Sequence, residues 1–209
     1  LQDKQIAFVQ AQTGIGKTYG YLLPALSLEN EKGILLSVPT KILQNQVIQE
    51  EARRLEEVFH LSIHSLKGPQ NYLKLDALHL ALQEEETNRL YTRFKMQLLV
   101  WLTETDTGDL DEIGQLYRYQ QFLPNLVHDG KLSKDSLFWL EDFWKRSQKK
   151  ARNCQLLVTN HAYLVTRLED DPSLLEGRLL ILDEAQKILL TLENLSQKSF
   201  LLNDLVDQL

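Results

Sequence analysis

The sequence predicts an α/β protein in which an all-helical insertion interrupts a parallel sheet. Apolar runs of strand length alternate with segments of helical spacing towards both ends of the 209-residue chain, which is typical of a parallel sheet covered by helices. Between about Asn71 and Arg152 the strand signal almost disappears, and apolar residues recur at helical spacing. A third observation is the turn "QTGIGKT", which places two glycines shortly before a lysine and a threonine.

Composition places the chain among ordinary globular proteins and excludes several classes. Hydrophobic residues make up 43% and charged residues 25%, and no apolar run is long enough to span a membrane. The net charge of −6 excludes a generic polyanion binder, so a nucleic-acid contact must come from a local patch. Cys154 is the single cysteine, and no secretory signal is visible, so we expect a cytoplasmic protein without an intrachain disulfide. The abrupt start suggests a fragment.

Three strands are predicted in the first third of the chain. They are Ile6–Gln10, Gly33–Val38 and Leu61–Gly68. Helical spacing follows the first of them in "KTYGYLLPALSL". Thr40 is suited to cap a second helix that runs to about Val58. This order of strand and helix predicts parallel pairing.

The insertion and the last part of the sheet follow. Helical spacing covers "LDALHLALQEEETNRLYTRFKMQLLVWL", and an acidic loop follows in "TETDTGDLDEIG". One amphipathic helix is predicted over residues 133–151, capped by Ser133 or Asp135. Strand signal resumes in Cys154–Asn160 and Gly177–Ala185.

A basic cluster marks the end of the insertion, near Trp139 and Trp144. Its members are Lys145, Arg146, Lys149, Lys150 and Arg152. Basic residues beside aromatic ones make a candidate nucleic-acid patch. A solvated helix face explains the cluster at least as well.

The turn before Lys17 has the spacing of a phosphate-binding loop, with alanine at its first position. Glycines let backbone N–H groups converge on phosphate oxygens, because side chains obstruct the dihedrals that this requires. The following helix directs its N-terminal donors at the same anion. Lys17 adds a charge on the phosphates, and the Thr18 hydroxyl is the expected Mg²⁺ ligand. The position between a predicted strand and a predicted helix disfavours the alternative, a turn with no ligand. The predicted nucleotide-binding residues are Ala11, Gln12, Thr13, Gly14, Ile15, Gly16, Lys17 and Thr18.

Asp183 and Glu184 are the predicted second half of this site. They end an apolar strand in "LLILDEAQ". At a strand tip Asp183 can hold Mg²⁺ through water, and Glu184 can orient the attacking water or accept its proton. "DEA" alone is a common helix start, but the phosphate-loop pattern upstream favours the catalytic interpretation.

Several stretches together resemble the DinG/XPD branch of the superfamily 2 DNA helicases, within the DEAD/DEAH-type group. Besides Ala11–Thr18 and "DEAQ", they are "KTYGYLLPAL", "VPTKILQNQ", "LKGPQNYL", "LLVWLTETDTGDLDEI" and "LLVTNHAYL". They follow the family's order over nearly the whole chain, so the combination is specific.

The resemblance implies the first RecA-like lobe of an ATP-dependent, 5′-to-3′ DNA helicase of the DinG type. Lys17 and Glu184 take catalytic roles, Thr18 and Asp183 bind Mg²⁺, and Gln186 stands where the family usually has histidine, linking the nucleotide to the contact between lobes. The implied partners are single-stranded DNA or DNA with single-stranded tails, a second RecA-like lobe of the same protein and, as in some Gram-positive members, a fused exonuclease domain. No membrane is implied.

The resemblance also implies domain boundaries. The RecA-like lobe comprises residues 1–73 and 153–193, the insertion residues 74–152, and residues 194–209 begin an arch-like helical region. Two rival functions stay open. One is another phosphate-loop ATPase or kinase, and the other is a nucleotide- or DNA-binding module that does not unwind and regulates a fused or partner nuclease.

DNA contacts are expected at Thr40, Lys41, Lys67 and Asn160. Thr40 and Lys41 lie in the stretch that resembles the family's motif Ia, although helix capping and solvation explain them equally well. Asn160 ends a strand at the edge of the sheet where ligands usually lie. For the neighbouring His161 a structural role is favoured over a ligand role.

A 4Fe–4S cluster is the feature of this branch that we do not expect here. In the family the first cluster cysteine follows Asn-Tyr-Leu, whereas Asn71-Tyr72-Leu73 is followed by Lys74. Such a cluster requires about four thiolates, and the chain has one cysteine. The insertion is therefore expected to fold by apolar packing, through Leu98, Trp101, Leu102, Phe122, Trp139 and Phe143.

Overall fold

Four parallel strands form the sheet in the computed structural model, which describes residues 6–12, 16–28, 32–131, 133–170 and 172–196. The strands are β1 (Ile34–Val38), β2 (Ile63–Ser65), β3 (Leu156–Asn160) and β4 (Leu179–Leu182). Their order is β2-β3-β1-β4. In register, Ile34 pairs with Leu156 on one side and with Leu179 on the other. The predicted α/β class with a parallel, RecA-like sheet is confirmed.

Eight α-helices lie in the described ranges. They are α1 (Lys17–Leu26), α2 (Lys41–Val47), α3 (Arg53–Phe59), α4 (Leu75–Gln83), α5 (Arg89–Leu102), α6 (Phe143–Asn153), α7 (His161–Asp170) and α8 (Lys187–Ser196). One π-helical turn, Ile48–Ala52, joins α2 to α3 without a break. Thr40 caps α2 as predicted, because its side chain accepts a hydrogen bond from the backbone N–H of Leu43 at 3.2 Å. None of the described helices is long and apolar enough to cross a bilayer.

Both faces of the sheet are covered, which explains why β1 and β3 are buried along their whole length. Alternate residues of a strand point to opposite faces. Leu36 and Val158 join one core with Leu22 of α1 and Leu55 of α3. Leu35 and Leu157 join a second core with Ala151 of α6 and Leu164 of α7. The helices on both faces leave the carboxyl ends of the strands as the place for a site.

The first predicted strand does not form. Ile6–Gln10 has no regular secondary structure, and Ile6, Phe8 and Val9 are 82–91% exposed. A strand needs a neighbour for its backbone N–H and C=O groups. The strand pairings among the described residues are β2–β3, β3–β1 and β1–β4, and none of them includes this segment. Apolar composition predicted a strand but carried no information about a partner.

The helix predicted over residues 133–151 is much shorter than expected. Helix α6 begins at Phe143, and residues 133–141 form turns and irregular structure. Asp142 supplies the cap, since its carboxylate accepts a hydrogen bond from the backbone N–H of Lys145 at 2.8 Å. Ser133 instead accepts one from the backbone N–H of Asp135, which closes a local turn. Ser and Asp favour such turns as readily as caps, so the sequence did not distinguish the three positions.

The segment between Leu73 and Val127 has a hydrophobic core of its own. Phe94 and Leu98 of α5 are fully buried in it, and the Phe94 ring stacks on Tyr119 with centroids 4.4 Å apart. Trp101, Leu102 and Phe122 pack against it, as expected. Trp139 and Phe143 are not members of this core, although Phe143 is buried elsewhere. It packs against Gly108, whose positive φ of 68° and missing side chain leave room for the ring.

A buried lysine ties this segment to the end of β2. Lys67 has 2% side-chain exposure, and its Nζ lies 2.5 Å from a carboxylate oxygen of Asp109 and 2.8 Å from one of Asp111. Burial raises the pKa of Asp109, against the effect of Lys67. For Asp111 burial acts in the same direction, but the hydrogen bond and charge of Lys67 prevail and lower its pKa. The ion pair therefore fixes the acidic loop against the sheet.

Candidate functional site

The candidate site lies where α1 begins, next to the carboxyl ends of β1, β3 and β4. Gly16 caps α1 in the left-handed region, with φ 76°, a conformation that glycine adopts at little cost. Ala11 and Gln12 precede it without regular structure. Thr13, Gly14 and Ile15, the middle of the predicted phosphate loop, lie outside the described residues.

Lys17 and Thr18 are the first two residues of α1. Backbone N–H groups at this end have no partner within the helix, and the helix dipole is positive there. Both side chains are half-buried. A phosphate group placed at this end would meet free N–H groups and the Lys17 charge together.

Asp183 and Glu184 follow β4 in a turn that also contains Gln186, an exposed residue. The backbone N–H of Asp183 donates to the Ser37 carbonyl at 2.9 Å and continues the β1–β4 ladder by one bond. Glu184 has a φ of 49°, and non-glycine residues in this region cluster at functional sites because the conformation is strained.

Glu184 carries its charge at neutral pH. Its carboxylate lies 2.6 Å from Lys187 Nζ. That contact lowers the pKa of Glu184, with smaller contributions from the charges of Lys17 and His161. The charge of Lys17 therefore acts on Glu184, the other predicted catalytic residue.

Tyr21 lies beside the two predicted Mg²⁺ ligands, and the sequence did not single it out as a site residue. Its hydroxyl is buried beside Thr18 and Asp183 but forms a well-aligned hydrogen bond with neither. Burial, and then the charge of Asp183, raises the pKa of Tyr21 far above its ordinary range. A signal was available, since Tyr21 is three residues after Thr18 and residues at that spacing share a helix face.

His161 connects three strand ends. Its Nδ1 lies 2.7 Å from the Ser37 hydroxyl, and its Nε2 lies 3.0 Å from the Asp183 backbone carbonyl. The side chain is fully buried, and burial lowers its pKa. The structural role favoured by the sequence is confirmed by these contacts.

The oxygen donors at this site are suited to Mg²⁺. Thr18 contributes a hydroxyl and Asp183 a carboxylate, and the cation usually takes few protein ligands, with waters and substrate phosphates completing its shell. The described residues contain no group of three His, Cys, Asp or Glu side chains able to hold a metal. A site of this kind needs only the two donors and a nucleotide.

Two of the four expected DNA-contact residues lie at the surface. Thr40 and Lys41 are exposed at the start of α2. The Lys41 Nζ donates to the Asn71 side chain at 2.7 Å and lies 3.9 Å from Asp111. With about half of its side chain exposed, Lys41 can also reach a phosphate.

The other two are internal, which argues against the expected contact. Lys67 is buried between two carboxylates. Asn160 is 7% exposed, donates to Gln44 at 3.0 Å and accepts from the backbone N–H of Tyr163 at 2.9 Å. The sequence showed polar residues near strand ends, but it could not show that their side chains bind partners inside the protein.

The basic cluster of α6 is partly engaged with aromatic rings. Lys145 Nζ lies 3.3 Å from the centroid of the Trp139 ring and donates to the Trp139 carbonyl at 3.0 Å. Arg146 lies over Phe143. Both side chains are half-buried, so these internal contacts argue against a free nucleic-acid patch at the two positions and also against full solvation.

Comparison with known proteins gives one family match and several relatives. Residues 1–113 match the DEAD/DEAH box helicase family. A protein of Staphylococcus saprophyticus named 3'-5' exonuclease DinG is 32% identical over 196 residues, which cover 90% of this chain and 21% of that protein. Proteins of the same name from Bacillus subtilis and Staphylococcus aureus are 34% and 30% identical, over 88% and 79% of this chain and 20% and 18% of their own. The chain spans about a fifth of the length of these relatives.

Proposed function

Because this chain belongs to the DEAD/DEAH box helicase family, we propose that it is the first motor lobe of a DinG-type DNA helicase that couples Mg-ATP hydrolysis to movement on single-stranded DNA. The observation that carries the proposal is the meeting of Thr18, Tyr21 and Asp183 at one edge of the sheet. The predicted phosphate loop and acidic strand tip are far apart in sequence, and only a nucleotide site requires both.

Each residue has a role that its position supports. The α1 N-terminus and Lys17 bind the phosphates, while Thr18 and Asp183 hold Mg²⁺, which would neutralise charge on the phosphates. Glu184, ionised and near Lys17, orients the attacking water and accepts its proton. Gln186, exposed in the same turn, faces outward to a second lobe. Thr40 and Lys41 contact the phosphates of the strand.

The experiment is single-strand-stimulated ATP hydrolysis by the full-length protein. Lys17→Ala should abolish stimulated hydrolysis and weaken nucleotide binding, because the phosphate charge is no longer balanced. Lys134→Ala, which removes an exposed lysine of the 133–141 segment, is the matched control and should leave both unchanged. Unaltered nucleotide affinity in Lys17→Ala would show that the site is assigned wrongly.

A second function is favoured by the names of the relatives. They are called 3'-5' exonucleases, and this chain matches about a fifth of each. The chain would then be a nucleotide- or DNA-binding module that does not unwind and instead regulates a fused or partner nuclease. Strand-displacement and exonuclease assays with and without ATP distinguish the two. A nuclease that responds to ATP without any strand separation favours the regulatory function.

A further inference from the structure

On the basis of the proposed Mg-ATP site, we infer that Tyr21 is a positioning residue that orients the Thr18 hydroxyl and the Asp183 carboxylate towards Mg²⁺. Its ring packs against the core beneath the sheet edge, beside Leu22 of the same helix. The ring is thus held by apolar contacts, while its hydroxyl reaches the two ligands. None of the roles proposed above includes orienting the Mg²⁺ ligands.

The donor and acceptor capacities of the three groups determine the direction of each hydrogen bond. A carboxylate can only accept, so the Tyr21 hydroxyl must donate to Asp183. A threonine that binds a cation through an oxygen lone pair still has its proton to donate, and the Tyr21 oxygen can accept it. Both ligands would then be oriented by one hydroxyl, and the lone pairs of Thr18 would stay directed at the cation.

The unfilled hydrogen-bonding capacity of Tyr21 supports this role. Its hydroxyl is buried and has no well-aligned partner among the described residues, and leaving a buried hydroxyl unpaired costs about 1–3 kcal/mol. Thr18 and Asp183, the predicted ligands, both lie near enough to pair with it. A small adjustment of these side chains upon cation binding completes both bonds.

Glu51 adds a second, independent observation. It lies in the π-helical turn Ile48–Ala52, and its Oε2 is buried without a hydrogen-bond partner in the part of the chain that the structure describes. Its charge acts on Tyr21, as does that of Asp183. Single π turns occur frequently at functional sites. A buried, unpaired carboxylate oxygen is costly unless positive charge compensates it, so the surroundings of Tyr21 favour a cation.

The test is the Mg²⁺ dependence of nucleotide binding by the full-length protein, followed with a fluorescent ADP analogue. Tyr21→Phe removes one oxygen and keeps the ring. Loss of a group that orients metal ligands typically weakens metal affinity about 10–100-fold, so the Mg²⁺ concentration for half-maximal binding should rise at least ~10-fold. Binding in excess EDTA should be unchanged, because the phosphate contacts remain.

Tyr19→Phe is the matched control. Tyr19 is on the same helix, packs against the same core, and has a buried hydroxyl that no described residue pairs with, so its loss should not change the Mg²⁺ requirement. An unchanged Mg²⁺ requirement in Tyr21→Phe, or an equal change in Tyr19→Phe, overturns the inference while the nucleotide site stands. Absence of nucleotide binding by the unmodified protein overturns the proposed function and this inference together.

Discussion

His161 donates a hydrogen bond from Nε2 to the backbone carbonyl of Asp183, across 3.0 Å. Because a carbonyl only accepts, the proton is on Nε2, and Nδ1 must accept from the Ser37 hydroxyl, 2.7 Å away. Ser37 in turn accepts from the backbone N–H of Asp183 through its carbonyl. The three residues close a ring that fixes both sides of the Asp183 backbone. The position of a predicted Mg²⁺ ligand is therefore set by a buried histidine.

Replacement of His161 should impair both stability and catalysis. His161→Asn cannot span both bonds, and each buried group left unpaired costs about 1–3 kcal/mol. We expect a loss of about 2 kcal/mol or more in urea unfolding, and a larger fall in kcat for ATP hydrolysis than in nucleotide affinity. His60→Asn makes the same change at an exposed helix end with φ 54°, which asparagine tolerates. Equal effects of the two substitutions would contradict the assigned role.

Stability should fall in mildly acidic solution. Burial, and then the charge of Lys150, lowers the pKa of His64 to about 4, and burial lowers the pKa of His161. In the unfolded chain both titrate near ~6.5, so below that pH the unfolded state binds protons that the folded state does not. Stability is therefore complete above pH ~6.5 and decreases as the pH falls towards ~4.

Urea unfolding of the protein and of His64→Gln at several pH values checks this. Glutamine can keep the bond to Ser147, which lies 2.8 Å from His64 Nε2, but does not titrate. Between pH ~7.5 and ~5 the variant should lose about 2 kcal/mol less stability than the unmodified protein. Parallel pH profiles would show that His64 is not a source of the dependence.

The sequence predicted the sheet better than it predicted contacts between distant side chains. Short apolar runs identified β1 and β3, because both faces of these strands are buried. The same signal failed at Ile6–Gln10, where composition could not show whether a neighbouring strand exists. Local patterns determine whether a segment can be a strand, and long-range pairing determines whether it is one.

The candidate site shows the same difference between local patterns and long-range contacts. Spacing and the flanking predicted strands point to Lys17, Thr18, Asp183 and Glu184, because phosphate chemistry requires such groups next to glycines and a strand tip. Tyr21 was not found, because an aromatic residue on an amphipathic helix is normally a core residue. Its ring does pack against the core here, while its hydroxyl lies beside Thr18 and Asp183.

Lys67 should contribute more to stability than an exposed cation. Removing one partner of a buried ion pair leaves unpaired charge and costs about 3–5 kcal/mol, so Lys67→Met should strongly destabilise the packing of the acidic loop. The control is Arg53→Met, which removes an ion pair with Glu57. The Arg53 side chain is 73% exposed and that of Glu57 65%, so the loss should cost under ~1 kcal/mol. Urea unfolding monitored by tryptophan fluorescence compares them, and similar losses would contradict the role of Lys67.

Two glycines should respond to alanine in opposite ways. A Cβ at Gly33, with φ 90°, would lie 2.1 Å from the Gln155 carbonyl oxygen, whereas a Cβ at Gly20 within α1 meets nothing within 4 Å. Gly33→Ala should destabilise the β1–β3 pair or prevent folding. Gly20→Ala should stabilise by up to ~1 kcal/mol through helix propensity. Thermal unfolding measures both, and a neutral Gly33→Ala would refute the assigned close approach.

We predict that this protein carries no iron–sulfur cluster. A 4Fe–4S cluster requires about four thiolates, while the chain has only Cys154. That thiol is buried at the start of β3, donates to the Ala151 carbonyl at 3.4 Å, and has its pKa raised by burial, which disfavours the thiolate that iron needs. The core around Phe94 and Leu98 supplies apolar packing where a cluster would otherwise hold helices together. Anaerobically purified protein should therefore be colourless, contain neither stoichiometric iron nor acid-labile sulfide, and keep its unfolding temperature after treatment with a chelator. Stoichiometric iron with visible charge-transfer absorbance would refute this, since the ligands would then have to come from outside this chain.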